Sequence, residues 1–238
     1  MRSPPPTILI TGANRGLGLG LARAYLADGF RVITASRRSS PELLALRNDR
    51  LAVFELDLTD DKALRELAGE LSGTDIDILV NNAGMMARPQ GMEDEKGVQG
   101  FGHFDRELWH ELFDINLFTP MRLAELFVEH VARTPRGRIV TINSTLGSMA
   151  MNEYGGLYAY RASKAGVGAI TKSMSIDLAE RGVIAVSLHP GWVQTRVGGP
   201  DAPLAVEESV AGMKQVIDGL QAKDSGRFLA HDGSQVPW

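Results

Sequence analysis

The sequence predicts an α/β fold: one doubly wound, mostly parallel sheet of seven strands flanked by helices. Short apolar, β-branched runs alternate with amphipathic, helix-length segments along the chain. That rhythm implies parallel strands joined by right-handed crossovers. The strand runs are nearly all apolar instead of alternating, as in strands covered on both faces.

In order, the strands read as 7–11, 31–35, 51–55, 76–81, 138–142, 183–188 and 227–230. The helices between them read as 16–28, 41–47, 60–71, 106–133, 157–180 and 206–220, with Asp60 or Thr59 capping the third. Two stretches read as loops: 85–104, with the acidic run Glu93, Asp94 and Glu95, and 197–204, with Gly198, Gly199, Pro200 and Pro203. Loops of that length inside a compact domain are usually functional or mobile. Neither breaks the strand-helix rhythm, so residues 1–238 are expected to form a single domain.

Composition narrows the function. The 238 residues are 44% hydrophobic and 23% charged, which is ordinary globular usage. Twenty-five basic residues against 29 acidic ones give a net charge of -4, and the basic residues do not cluster as a phosphate-backbone surface requires. No nucleic-acid partner is expected. The absence of cysteine removes disulfides, thiolate nucleophiles and cysteine-based metal sites, and five scattered histidines give no metal site. The apolar runs fall short of the roughly 18 residues of a membrane span, and Met1 to Pro6 has no apolar signal core. A cytoplasmic protein without a membrane partner is the expectation.

The first strand runs into Thr11-Gly12-Ala13-Asn14-Arg15-Gly16-Leu17-Gly18 and then into a helix. Free backbone N–H groups and a helix dipole pointing at one spot make an anion site, and glycines let the backbone approach a pyrophosphate. Strand, glycine turn and helix in this order are what a Rossmann-type dinucleotide fold requires. The second strand ends in Thr34-Ala35-Ser36-Arg37-Arg38, without the acid that would hold the ribose hydroxyls of NAD. Arg37, with Arg15 in the glycine turn, offers two guanidiniums to one phosphate, and Ser36 adds a hydroxyl, so the expected cofactor is NADP.

Farther along, Tyr160-Arg161-Ala162-Ser163-Lys164 places a phenol and an ammonium on one helix face. A free tyrosine, with a pKa of roughly 10, is a poor acid or base at neutral pH. An adjacent cation is expected to lower it. Tyr158 has Ala162 at the corresponding position, which selects Tyr160. Asn116 falls inside the helix 106–133, where its propensity is poor and something usually rewards it.

The chain resembles the short-chain dehydrogenase/reductase family of the classical type. The resemblance rests on Thr11 to Gly18, Asn81-Asn82-Ala83-Gly84, Ser144 in Asn143-Ser144-Thr145-Leu146-Gly147, Tyr160 to Lys164, and Pro190-Gly191-Trp192-Val193-Gln194-Thr195. Within the family, His189 to Val193, Tyr158 to Lys164, Ala211-Gly212-Met213 and Asp232 to Trp238 are similar to the C-factor and Sniffer-like carbonyl reductase branch.

The resemblance implies an NADPH-dependent reductase of a ketone or aldehyde, with Asn116, Ser144, Tyr160 and Lys164 as the catalytic set. Tyr160 would give the proton, Ser144 orient the carbonyl oxygen, Lys164 hold the nicotinamide ribose, and Asn116 hold a relay water in a locally opened helix. The cofactor would lie against Gly12, Asn14, Arg15, Gly16, Leu17, Gly18, Ser36, Arg37, Asp57, Leu58, Asn82, Ala83, Gly84, Tyr160, Lys164, Pro190, Gly191, Val193 and Thr195. Asp57 would contact the adenine amino group, and Asn81 would stabilise the sheet. His189 stands where the family usually has asparagine and reads as structural.

Ser144 and Tyr160 are slightly farther apart than is usual in the family, which points to a modest insertion between Met149 and Gly156, with Thr145 as the fallback to Ser144. The same likeness leaves two other readings open, an NADP-linked alcohol dehydrogenase and a non-catalytic NADP-binding regulator. Met85, Met86, residues 149–154, Trp192 and the 197–204 loop are expected to line an apolar, adaptable pocket for a hydrophobic carbonyl substrate. Family members often pair their two long helices, so a homodimer or homotetramer is expected. Ala162, Ala165, Gly166, Gly168 and Ala169 permit close helix approach there, or could equally pack against the sheet.

Overall fold

The computed structural model describes residues 4–86 and 99–238. The acidic run Glu93 to Glu95 lies outside them. Seven strands form one sheet: β1 (Thr7–Thr11), β2 (Arg31–Ser36), β3 (Leu51–Glu55), β4 (Ile78–Asn81), β5 (Arg138–Ile142), β6 (Ile184–His189) and β7 (Phe228–Ala230). Their spatial order is β3-β2-β1-β4-β5-β6-β7 and every pairing is parallel.

The helices are α1 (Gly16–Ala27), α2 (Pro41–Leu44), α3 (Asp61–Glu70), α4 (Arg106–Phe113), α5 (Thr119–Ala132), α6 (Tyr158–Asp177) and α7 (Val206–Gly219). The second is a single turn capped by Ser40, shorter than the sequence suggests. Asp60 caps α3, accepting from the N–H groups of Lys62 and Ala63. No helix among the described residues is long and apolar enough to cross a membrane.

The strands are apolar because consecutive residues are buried on opposite faces. Ile8 and Ile10 pack with Leu21 and Tyr25 of α1 and with Met213 and Ile217 of α7. Leu9 packs on the other side with Leu64 of α3, Phe127 of α5 and Met174 of α6.

The helix expected over 106–133 is interrupted. Between α4 and α5 the chain takes one π turn, Asp114–Phe118. Pro120 has no N–H to offer the Asn116 carbonyl four residues earlier, and a helix that loses this bond opens locally.

The strand order reverses between β1 and β4, the chain going one way from β1 to β2 and β3 and the other from β4 onward. In an open α/β sheet, ligands bind in the crevice at the carboxyl ends of the strands at this switch point.

Candidate active site

The two strands flanking that crevice meet at Gly12 and Ala83. A side chain on Gly12, which has φ +67, would place its Cβ 2.9 Å from the Ala83 Cα. A Cβ on Gly18 would lie 2.5 Å from the Gly12 carbonyl oxygen and 2.6 Å from Asn82 Nδ2. Asn82 Nδ2 donates to the carbonyls of Thr11 at 2.8 Å and Gly12 at 3.2 Å, and Thr11 Oγ1 accepts from the N–H groups of Asn82 and Ala83. Asn82 thus braces the glycine turn. The sheet-stabilising part expected of Asn81 belongs to Asn82, since Asn81 reaches only the Pro120 carbonyl, at 3.4 Å.

Helix α1 begins at Gly16 after an extended Arg15, without a side-chain cap or an acid in its first turn. Its N-terminal N–H groups, those of Gly16, Leu17 and Gly18, are therefore open to an anion at a turn where Asn14 and Arg15 also lie.

Cations gather at this end. Partial burial, then Arg196 and Arg37, hold the Arg15 guanidinium below its usual pKa. Arg196 is a residue the sequence reading missed, because nothing in the spacing brings the loop after β6 to the loop after β1. Ser36, expected to face a phosphate, is buried and donates its hydroxyl to the Arg38 carbonyl at 3.1 Å. Asp57 accepts from the Thr59 N–H at 3.0 Å and its hydroxyl at 2.8 Å, and these bonds, with Arg37 nearby, keep its carboxyl below the ordinary range. Leu58 is buried and its carbonyl accepts the Thr119 hydroxyl at 3.1 Å. A glycine cradle that any Cβ would fill, with three guanidiniums beside it, fits a phosphorylated dinucleotide.

At the other end, Tyr160 and Lys164 stand one turn apart on α6, each 7% exposed. The Ser144 side chain stands close enough to the Tyr160 phenol to lower its pKa, an effect that Thr145 does not have, while Ser144 Oγ accepts the Leu146 N–H at 3.2 Å. Lys164 Nζ donates to the Ile142 carbonyl at 2.9 Å and lies 5.9 Å from the Tyr160 ring centroid. The expected lowering of the phenol pKa by Lys164 is not found. Burial pushes Tyr160 up to about 12, opposed by the nearby Ser144 hydroxyl, and pushes Lys164 down to about 8.

Asn116, in the π turn and 1% exposed, exchanges hydrogen bonds with Met85: its Oδ1 accepts the N–H and its Nδ2 donates to the carbonyl, each at 2.9 Å. Nδ2 also reaches Ser163 Oγ at 3.1 Å. A Cβ on Gly84 would sit 2.9 Å from Asn116 Oδ1 and 3.8 Å from Lys164 Nζ, so these three residues meet. Tyr158 is half exposed and packs against Phe101, away from this set.

The loop after β6 faces the glycine turn. The Thr195 methyl would lie 3.7 Å from a Cβ on Gly16, and Thr195 Oγ1 accepts the Gly198 N–H at 3.1 Å. Pro190 offers its carbonyl to Ser209 Oγ at 2.6 Å, Gly191 has φ +87, and Val193 is buried and bridges to Leu204. Burial first, then His231, drives His189 down to about 4, and its Nδ1 is buried without a hydrogen-bond partner among the described residues.

Met149, Met151, Tyr154 and Trp192 are exposed apolar surface, Met149 at 77%, while Met85 and Met86 pack near Tyr160. The loop carrying the first three is fixed from two directions. The Trp238 carbonyl oxygen accepts from the N–H groups of Met149 at 2.8 Å and Ala150 at 3.1 Å and from Ser148 Oγ at 3.1 Å. Arg161 donates to the carbonyls of Gly156 at 3.1 Å, Leu146 at 3.2 Å and Gly155 at 3.5 Å, and lies 4.7 Å over the Tyr154 ring. Neither part was legible, since a residue inside the Tyr-Lys spacing and a distant tryptophan carry no signal of their own. Of the small residues expected at a helix interface, Gly166 packs on Leu117 and Gly168 on the Trp238 ring.

The profile of the short chain dehydrogenases matches residues 6–203. The C-signal protein of Myxococcus xanthus is 39% identical over 175 residues, 74% of this chain and all of that one. The fold superposes on the carbonyl reductase Sniffer of D. melanogaster with a TM-score of 0.89 at 32% identity, covering 99% of this chain and 100% of that one. It superposes on the NADPH-bound carbonyl reductase from chicken fatty liver with a TM-score of 0.87 at 29% identity, covering 98% and 99%.

Proposed function

Because the chain belongs to the short chain dehydrogenase family, we propose that this oxidoreductase reduces a ketone or aldehyde with NADPH. The observation that carries the reading is buried Tyr160 with Lys164 one helical turn away, 5.9 Å from its ring centroid, and Ser144 beside its phenol. NADPH, when bound, supplies the hydride. The solved carbonyl reductase with NADPH bound supports that cofactor, as do Arg15, Arg37 and Arg196 around the glycine turn.

The turn at Gly12, Gly16 and Gly18 takes the pyrophosphate, with Arg15 and Arg37 on the 2′-phosphate. Asp57 and Leu58 border the adenine, Asn82 to Gly84 the adenosine ribose, and Pro190, Gly191, Val193 and Thr195 the carboxamide. Ser36 contributes to the phosphate site through the turn it fixes. Ser144 and Tyr160 both hydrogen-bond the substrate carbonyl oxygen, which stabilises the negative charge that develops on it. The Tyr160 O–H bond then breaks and its proton passes to that oxygen. Lys164 holds the ribose and stabilises the resulting tyrosinate, and Asn116 keeps the opened helix through which a proton returns.

The likeness to carbonyl reductases, one of them with NADPH bound, favours reduction over the alcohol dehydrogenase direction. The complete set of Asn116, Ser144, Tyr160 and Lys164 favours turnover over a purely regulatory role. Exposed Met149, Met151, Tyr154 and Trp192 favour a hydrophobic carbonyl compound. A dimer or tetramer would form through exposed Phe118 and Ile176 and not through Gly166 and Gly168, which the fold already packs; light scattering checks it.

The testing experiment follows NADPH absorbance over a panel of aromatic and aliphatic ketones, aldehydes and quinones, with NADP and the matching alcohols as the reverse arm. Faster reduction of the larger apolar carbonyls supports the proposal. Tight NADPH binding without turnover of any carbonyl would transfer support to the regulatory role.

A further inference from the structure

The first turn of α6, which carries Tyr160, is not capped by its own chain neighbourhood. The N-cap residue Leu157 has φ 53 and ψ 38, a left-handed conformation shared by no other non-glycine among the described residues, and its side chain makes no cap bond. The leading N–H groups of a helix have no intrahelical partner, and a nearby Ser, Thr, Asp or Asn usually takes one of them. Here Gln99 does so from a position 61 residues earlier.

Gln99 is 3% exposed. Its side-chain Oε1 accepts the Tyr160 backbone N–H at 2.9 Å, and its backbone carbonyl accepts the Tyr158 N–H at 3.2 Å. Two residues on, the Phe101 ring lies 6.4 Å from the Tyr158 ring. The segment is therefore registered on both tyrosines, and one contact is to the backbone of the proton donor itself. A side chain in the first turn of α6 can keep its phenol beside Ser144 only if this turn holds its place.

We propose that Gln99 is a positioning residue for the reaction. It fixes the backbone of Tyr160 and through it the phenol against Ser144, so that the segment leading into α4 governs the placement of the proton donor. The proposal rests on the reading of Tyr160 as that donor. It needs an acceptor at the end of the side chain: a carboxylate supplies one and suits a helix N-terminus, whereas an alkyl group cannot.

The test compares full-length wild type with Gln99→Leu, Gln99→Glu and Tyr160→Phe, with Gln99→Ala standing in should Gln99→Leu fail to fold. In Gln99→Leu, kcat for the carbonyl falls at least about ten-fold while the NADPH dissociation constant stays as in wild type, and Gln99→Glu recovers the loss. A second readout needs no turnover. In protein labelled with 3-fluorotyrosine, the fluorine resonance missing from Tyr160→Phe identifies Tyr160. That resonance moves in Gln99→Leu and returns to its wild-type position in Gln99→Glu. An unmoved resonance in Gln99→Leu, or a kcat loss that Gln99→Glu does not recover, overturns the proposal. Wild type without Tyr160-dependent turnover would instead sink the reductase reading, and the fluorine resonance alone would then decide the part played by Gln99.

Discussion

Asn116 and Met85 hold each other by two reciprocal hydrogen bonds of 2.9 Å, side-chain amide against backbone amide, as adjacent strands do. The pair joins the π turn to the loop after β4 and leaves no room for a side chain at Gly84. Asn116→Leu leaves the Met85 backbone groups unpaired in a partly buried place, which costs about 1 kcal/mol or more. In a domain of this size that lowers the melting temperature by about 2–4 °C per kcal/mol. Gly84→Ala presses on Asn116 Oδ1 and is expected to lower the melting temperature and kcat together, though it deletes no hydrogen-bonding group. Calorimetry with the reductase assay checks both.

The cations around the glycine turn make separable predictions for cofactor binding. Loss of one charged hydrogen bond to phosphate costs about 1.5–3 kcal/mol, or roughly ten- to a hundred-fold in affinity. Arg37→Ala is expected to weaken NADPH by that factor and leave NADH nearly unchanged, with Arg15→Ala in the same direction. Gly18→Ala, which drives a Cβ into the Gly12 carbonyl, weakens both dinucleotides. Fluorescence titration with the two cofactors distinguishes these patterns.

The structure predicts opposite pH limbs of stability. His189, pushed down to about 4, stays neutral in the fold while the unfolded chain takes up a proton below its ordinary 6.5. Its contribution is therefore complete above pH 6.5 and is lost as pH falls toward 4. Tyr160, pushed up to about 12, contributes fully below pH 10 and loses that contribution as pH rises toward 12. Lys164, pushed down to about 8, acts in the other sense between 8 and 10.5, where the fold is favoured as pH rises. His189→Asn should flatten the acid limb, and Lys164→Met should remove the gain above pH 8. Melting temperatures measured across the range test the three signs.

Arg161 ties the carbonyls of residues 146, 155 and 156 to the helix that bears Tyr160. Lysine has no planar fork to span three acceptors. Arg161→Lys is expected to raise KM for the carbonyl several-fold while leaving NADPH affinity intact, and steady-state kinetics varying each substrate in turn will show it.

Most of the framework was legible because apolar runs covered on two faces and glycines at a strand end leave strong patterns. Gly12 and Gly18 could be placed for that reason, and Tyr160 with Lys164 by their four-residue spacing on one helix face together with the family resemblance. The break in the 106–133 helix was legible at Asn116 only through resemblance, although Pro120, four residues on, states it physically. Gln99, Arg196 and Trp238 were not legible, since each acts across a tertiary contact that no local period encodes. The direction of the Tyr160 pKa was misread because a nearby cation was weighed and full burial was not.

The most direct measurement is NADPH oxidation by wild type and Tyr160→Phe with the best carbonyl of the panel, each also assayed with NADH. The account predicts turnover with NADPH, little with NADH, and loss of at least about a hundred-fold in Tyr160→Phe while NADPH still binds. Equal rates in the two proteins would contradict the assignment of Tyr160, and equal use of NADH would contradict that of Arg15 and Arg37.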